Sequence, residues 1–308
     1  TIITHHPIIF HPVKSINTGF VEGRILCGLI KNDINYIAMH TNMDKCKGGL
    51  NDYLAELAGI KSAKVMEDET ECYQISVYVP STYAQVVKSA MFDAGAGLVG
   101  DYKGCVFETS GTGEFEPMKG AIPFTGQVGK TERAEEVKLE VYCDTYRLGK
   151  VICAMRSAHP YERPVYYAFK SRSYGEYGFG RYGELEKAMS LKEYCAFLKD
   201  ALNLPFLEYI GDEKKMIKTV GVCSGAGGDM YETAVKMELD AFITGDIKHN
   251  VAVFASDNDT ALINAGHYGT EVIFKNILSS HLQNRFNELK CSVNIIYSQV
   301  EKSPWSYV

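Results

Sequence analysis

Apolar and polar positions along this chain fall into three textures. In the first, Ile34 to Met39 is a short apolar run that ends at His40, and a loop through Gly48 and Gly49 follows. Leu50, Leu54, Leu57 and Ala58 then recur at helical spacing, with Gly59 placed to stop the helix. In the second, Tyr73 to Val79 alternates with Ile75, Val77 and Val79 on one face, and Pro80 ends it. A helix is predicted over Thr82 to Phe92, then a glycine turn at Gly95-Ala96-Gly97. Two hairpin-like strands are predicted over Gly104 to Phe115, broken at Gly111-Thr112-Gly113. Further strands are expected over Val137 to Cys143 and Val165 to Phe169.

The third texture alternates strands with helices. Leu191 to Leu202 reads as an amphipathic helix, and Val220 to Cys223 as a strand leading through Ser224-Gly225-Ala226-Gly227-Gly228 into a helix that runs through Val235. Strands follow at Ala241 to Thr244 and Ala261 to Ala265, then a long helix over Thr270 to Phe286. Such alternation predicts a mostly parallel sheet. The expected fold class is α/β (α+β overall), with two pseudo-repeated αβ lobes forming one domain over residues 1–66 and 172–308. A ferredoxin-like inserted domain is expected over residues 67–171. The opening Thr1-Ile2-Ile3-Thr4 reads as the end of a strand, so an N-terminal strand–helix stretch is expected to be missing before it.

The repeat carries the candidate chemistry. Ile2-Ile3-Thr4-His5-His6 has a counterpart in Phe242-Ile243-Thr244-Gly245-Asp246, and the segment from Ala38 to Asp44 parallels that from Asn264 to Glu271. In both of these latter segments an apolar strand ends in a histidine, a carboxylate comes four residues later, and a helix follows. Ligand sites in α/β sheets lie at the carboxyl ends of strands, where these loops sit. The inventory there is His5, His6, His40, Asp44, His267 and Glu271. Imidazole and carboxylate suit zinc, iron or manganese. A carboxylate that bridges two ions flanked by histidines is a dinuclear arrangement, in which the ions lie roughly 3.5–4 Å apart. A lone His-x-x-x-Asp spacing is weak, and adjacent strand residues such as His5 and His6 point to opposite faces unless the chain has turned. Pro7 makes that turn plausible. His40 stands either as a ligand or beside the ligands.

Composition narrows the classes. The 308 residues are 46% hydrophobic and 23% charged with a net charge of −6, which fits a two-domain globular chain and argues against a basic nucleic-acid footprint. No apolar run is long enough to span a membrane, and no charged-then-apolar leader opens the chain. Cys27, Cys46, Cys72, Cys105, Cys143, Cys153, Cys195, Cys223 and Cys291 are scattered without a C-x-x-C. A disulfide framework is not expected, and a reducing, cytoplasmic location fits best.

With these residues in place, a family resemblance emerges. Thr4 to Phe10, His40-Thr41-Asn42-Met43-Asp44, Gly48-Gly49-Leu50-Asn51-Asp52, Ile243 to Asp246 and Gly266 to Glu271 resemble the NIF-three-like dinuclear-metal-centre family, whose members are often labelled GTP cyclohydrolase I type 2 homologues. Val77 to Pro80, Gly95 to Gly97, Gly111 to Phe115 and His159-Pro160-Tyr161-Glu162 are similar to the PII/CutA-like domain inserted in longer bacterial members. The resemblance implies a toroidal homohexamer with metal pairs facing an inner cavity, and two divalent ions per chain held by His5, His6, Asp44, His267 and Glu271. His40 and His249 match positions near the site. Two departures stand out: the family's region before His5 is absent, and Arg163 stands where a second acidic residue is usual. His159 and Glu162 are accordingly read as structural.

Other motifs are weaker. Ser224 to Gly228 lacks the lysine of a phosphate-binding loop and reads as a tight strand-to-helix turn. Asp246 and His249 approach either substrate or solvent. Tyr174, Tyr177, Phe179 and Tyr182, interleaved with glycines, read as a linker whose aromatics stack on a nucleobase or on a neighbouring subunit. Lys214, Lys215 and Lys218 read as a solvated rim. Two functions are consistent with this inventory. One is a metal-dependent hydrolase with His40 or His249 moving protons, its nucleotide substrate implied by the family label. The alternative is a non-enzymatic metal-binding scaffold, carrier or regulatory interaction protein.

Overall fold

The computed structural model describes residues 1–68, 71–172 and 177–306. The chain divides into two compact units, Thr1–Asp68 with Gly175–Val308, and Glu69–Tyr174.

The first unit opens with β1 (Ile2–Thr4), α1 (Val21–Lys31), β2 (Tyr36–Ala38), α2 (Thr41–Lys45), α3 (Leu50–Leu57) and β3 (Ile60–Asp68). β1 and β2 form a parallel pair with Thr4 opposite Ala38. Helix α3 is amphipathic as its spacing predicts, burying Leu50, Leu54 and Ala55.

The second unit runs β4 (Glu71–Pro80), α4 (Ala84–Asp93), the short hairpin β5 (Leu98–Val99) and β6 (Tyr102–Lys103), β7 (Val106–Phe115), β8 (Glu132–Asp144), α5 (Leu148–Ala158) and β9 (Tyr166–Arg172). Its four-stranded sheet has the order β7-β8-β4-β9 and is antiparallel throughout. Ile75, Val77 and Val79 of β4 and Leu139, Val141 and Cys143 of β8 face one side, where Val87 and Met91 of α4 and Val151 and Met155 of α5 cover them. One expectation fails here. The glycines at 111 and 113 do not break a hairpin, because β7 is one continuous strand with Gly111 opposite Glu136 and Gly113 opposite Ala134.

The first unit resumes with β10 (Gly178–Ser190), α6 (Leu191–Ala201), β11 (Glu208–Ile210), β12 (Met216–Val222), α7 (Tyr231–Lys236), β13 (Ala241–Thr244), α8 (His249–Ser256), β14 (Ala261–Asn264), α9 (His267–Glu271) and α10 (Phe274–Glu288). Ser190 caps α6 in a reciprocal box with Glu193, which fixes where strand becomes helix. The six-stranded sheet has the order β11-β14-β13-β12-β10-β3. Only β12, β13 and β14 run parallel; β11, β10 and β3 pair antiparallel to their neighbours, so the sheet is mixed where a mostly parallel one is expected.

β10 also replaces the expected aromatic linker. Phe179 and Tyr182 pack against the buried cluster of Cys223, Tyr231 and Phe242, while Tyr174 and Gly175 lie outside the described residues. β3 and β10 lie side by side with Asp68 opposite Gly178, so the chain leaves and re-enters this unit at adjacent strand ends. The long helix expected over Thr270 to Phe286 is two helices, parted after Glu271. Lys215 is not a solvated rim residue, since its side chain is 16% exposed and paired with Asp259.

Candidate metal centre

The two halves of the internal repeat build equivalent scaffolds. β1 lies parallel to β2 and β13 parallel to β14, with Thr4 opposite Ala38 and Thr244 opposite Asn264. One residue further on, the Met39 N–H donates to the Thr4 carbonyl at 2.8 Å and the Ala265 N–H to the Thr244 carbonyl at 2.9 Å. Each second strand then hands over to a five-residue helix, α2 or α9, which carries its carboxylate toward the same place.

The chain turns immediately after β1. The Thr4 and Tyr36 hydroxyls both donate to the His6 carbonyl, at 2.7 and 2.8 Å, and this fold-back lets two consecutive histidines share one side. Their ring centroids lie 5.3 Å apart. His5 Nδ1 lies 2.8 Å from the Met39 carbonyl, which can only accept, so Nδ1 carries the proton and Nε2 presents a lone pair. That Nε2 is buried and, among the described residues, finds no hydrogen-bond partner. It faces Glu271 Oε1 at 3.4 Å and Asp44 Oδ1 at 3.6 Å.

Glu271 divides its two oxygens. Oε1 faces His5, and Oε2 lies 2.7 Å from His6 Nε2 and 3.0 Å from His267 Nε2. His267 is oriented from behind, since its Nδ1 contacts Asp246 Oδ2 at 2.5 Å. Asp246 therefore acts on the cluster through His267, as carboxylates behind metal-ligating imidazoles do. His40 joins from α2's N-terminus, with its ring centroid 5.1 Å from both His5 and His6. His249 opens α8 with an exposed side chain and, among the described residues, contacts no member of the cluster.

The charges respond to this crowding. Burial pushes Asp44 up to about 6, against the pull of His5. Glu271 is also disfavoured by burial, but the imidazoles that face it, His267 first, hold its carboxyl well below the usual carboxylate range. The bond to Glu271, and then that to Asp246, raises His267 to about 9. His40 is lowered, first by its partial burial and then by His5 and His6.

The site suits a cation. His5 Nε2 lies 3.4 Å from Glu271 Oε1 and 3.6 Å from Asp44 Oδ1, and the ligand atoms of His5, His6 and His40 form one close group. His6, His267 and the second oxygen of Glu271 form another close group. Nitrogen and carboxylate oxygen are the donor set of zinc, iron and manganese. The backbone approaches Glu271 closely at one point. Gly225 has φ +61°, and a Cβ there would sit 2.1 Å from Glu271 Oε1.

Supporting residues complete the site, and the roles of Asn51 and Ser224 are not evident from the motifs that contain them. Asn51, fully buried, donates to the Asp44 carbonyl at 3.0 Å and accepts the Ser224 N–H at 2.8 Å, while the Ser224 hydroxyl reaches Asp44 Oδ1 at 3.3 Å. Arg181 is 1% exposed and donates to both Asp52 oxygens, at 2.7 and 3.0 Å. It also donates to the carbonyls of Lys45 and Cys46 at the end of α2, at 3.2 and 3.1 Å. A lone arginine in a tyrosine- and glycine-rich stretch resembles a surface residue until the strand is seen to be central.

The fold and the cluster thus define an α+β protein with paired His–carboxylate loops meeting at one centre. The chain belongs to the Duf34/NIF3 (NGG1p interacting factor 3) family, whose model matches residues 1–304. It is 35% identical over 310 residues to a GTP cyclohydrolase 1 type 2 homolog of Halalkalibacterium halodurans, covering 100% of this chain and 83% of that one. It is 36% identical to the protein of that name in Bacillus subtilis, again over 310 residues, covering 100% and 83%. Among solved structures, a Bacillus cereus protein related to NIF3 superposes with a TM-score of 0.81 at 35% identity, covering 99% of this chain and 82% of the other. Among the described residues no helix is long and apolar enough to cross a membrane.

Proposed function

We propose that the cluster holds two divalent metal ions and that the protein is a metal-dependent hydrolase of nucleotide or phosphoester substrates. The observation that carries this reading is His5 Nε2, buried without a hydrogen-bond partner among the described residues and facing carboxylate oxygens of Glu271 and Asp44 at 3.4 and 3.6 Å. His5, His6, Asp44, His267 and Glu271 would hold the two ions. Bound there, such ions supply Lewis acidity and activate water.

This chain's own residues do the rest. Met39 and Asp246 fix the tautomers of His5 and His267, so that Nε2 of each points inward. His40, neutral near pH 7 and held by the Thr41 hydroxyl at 3.2 Å, is placed to take a proton beside His5 and His6. The nucleotide class follows the printed name of the relatives, GTP cyclohydrolase 1 type 2 homolog. The toroidal hexamer and the cytoplasmic location belong to the same proposal. So does a ferredoxin-like second unit, which its strand–helix–strand–strand–helix–strand order supports.

The test is turnover. Protein loaded in turn with zinc, iron and manganese is assayed against GTP and generic phosphoesters, beside a Glu271→Gln variant. Metal-dependent hydrolysis that falls by about 100-fold or more in the variant supports the hydrolase. Bound metal with no hydrolysis of any of these substrates would leave the non-enzymatic carrier as the better reading.

A further inference from the structure

The second unit contains a cavity of about 370 Å³ between the ends of β7 and β8 and the loop after α5. Phe115, Phe124 and Tyr161 wall it. The Tyr161 ring centroid lies 6.0 Å from that of Phe115 and 6.2 Å from that of Phe124. Glu136 projects into the same space. Its Oε1 accepts the Tyr161 hydroxyl at 2.9 Å, and among the described residues Oε2 accepts no hydrogen bond. The room for Oε2 is made by Gly113, where a Cβ would lie 2.4 Å from it.

Tyr161 is itself held in place. His159, 7% exposed, lies 2.9 Å from the Tyr78 carbonyl through Nε2, so this nitrogen donates, and its Nδ1 accepts the Tyr161 N–H at 3.0 Å. The other charged groups lining the cavity are Glu114, Glu162 and Arg163, so carboxylates outnumber guanidinium there. Glu114 is already paired with Arg133 at 3.6 Å.

We propose that this cavity is a binding site for a small organic cation, an ammonium or guanidinium group carried on an apolar body. The aromatic rings would attract a cation and the second oxygen of Glu136 would accept a charge-assisted hydrogen bond from it. The aromatic walls take the apolar body. An anionic ligand would meet three carboxylates. The proposal is independent of the metal centre, because every residue it uses belongs to the second unit.

The full chain is titrated calorimetrically with phenethylammonium, phenylguanidine and the uncharged isostere 2-phenylethanol. Saturable binding of the two cations, with the alcohol weaker by about tenfold or more, is expected. Glu136→Gln keeps an acceptor for Tyr161 and removes the charge, and cation affinity falls by about tenfold or more. Phe124 is 48% exposed, so Phe124→Leu leaves the core intact and weakens the cations by about threefold. Equal binding of the alcohol, unchanged affinity in both variants, or no saturable binding of either cation overturns the proposal.

Discussion

His6 and Glu271, 265 residues apart in the sequence, meet at 2.7 Å between Nε2 and Oε2. The contact joins the loop after β1 to the last residue of α9, so the centre exists only when both halves of the repeat have folded against each other. Neither loop holds a full donor set. α2 brings one carboxylate, α9 brings the other, and the paired backbone bonds at Met39 and Ala265 set the two loops at the same step past their strands.

Gly225→Ala is expected to abolish metal binding without touching a donor. The new Cβ would fall 2.1 Å from Glu271 Oε1 at a backbone position with φ +61°. The strain costs about 1–2 kcal/mol, and relieving the clash moves Glu271 away from His5. Chemical denaturation reads the first effect and metal analysis the second. A variant that keeps full metal content would show that Gly225 does not set the carboxylate's position.

Arg181→Met should be among the most destabilising single changes in the first unit. It strands the Asp52 carboxylate and the carbonyls of Lys45 and Cys46, which Arg181 now satisfies. Removing one partner of a buried pair costs about 3–5 kcal/mol, with Asp52's 27% exposure putting this case at the lower end. The midpoint of denaturation is the readout. A loss within about 0.5 kcal/mol, the ordinary surface range, would contradict the role assigned to the arginine.

His159 makes the second unit sensitive to acid. Burial, the main cause, lowers it from its ordinary value of 6.5. Below 6.5 the unfolded chain therefore binds a proton that the folded chain refuses. Stability from this residue is complete above about pH 6.5 and is lost as pH falls through the folded value. Protonating Nδ1 would also set it against the Tyr161 N–H. The opening free energy of β4 amides, from hydrogen exchange corrected for its intrinsic pH dependence, should fall from pH 8 to 5, and His159→Leu should flatten that dependence while lowering stability at pH 8. Unchanged pH dependence in the variant would place the acid sensitivity elsewhere.

His40, Asp44, His267 and Glu271 stood out in the sequence because a repeated His-x-x-x-carboxylate spacing survives as text, and His5 and His6 because they are adjacent at a strand end. Their supports did not, since Arg181, Asn51 and Ser224 act through tertiary contacts that leave no local period. The periodicity of α3 and β4 read correctly because each buries a single face. β10 did not, because a long strand rich in glycine and tyrosine looks like a linker until its neighbours β3 and β12 are known. The glycines of β7 misled for a related reason. Gly113 makes room for the Glu136 side chain and does not turn the backbone.

Metal content of the purified chain, measured by mass spectrometry without added chelator, bears most directly on the two-ion centre. Wild type should carry about two divalent ions per chain, as expected for a carboxylate-bridged pair. Glu271→Ala, which removes an oxygen from each side, should lose both, and Asp44→Ala should lose one. A wild-type chain that neither retains metal nor takes it up on reconstitution, or a Glu271→Ala variant that keeps both ions, would contradict the centre described here.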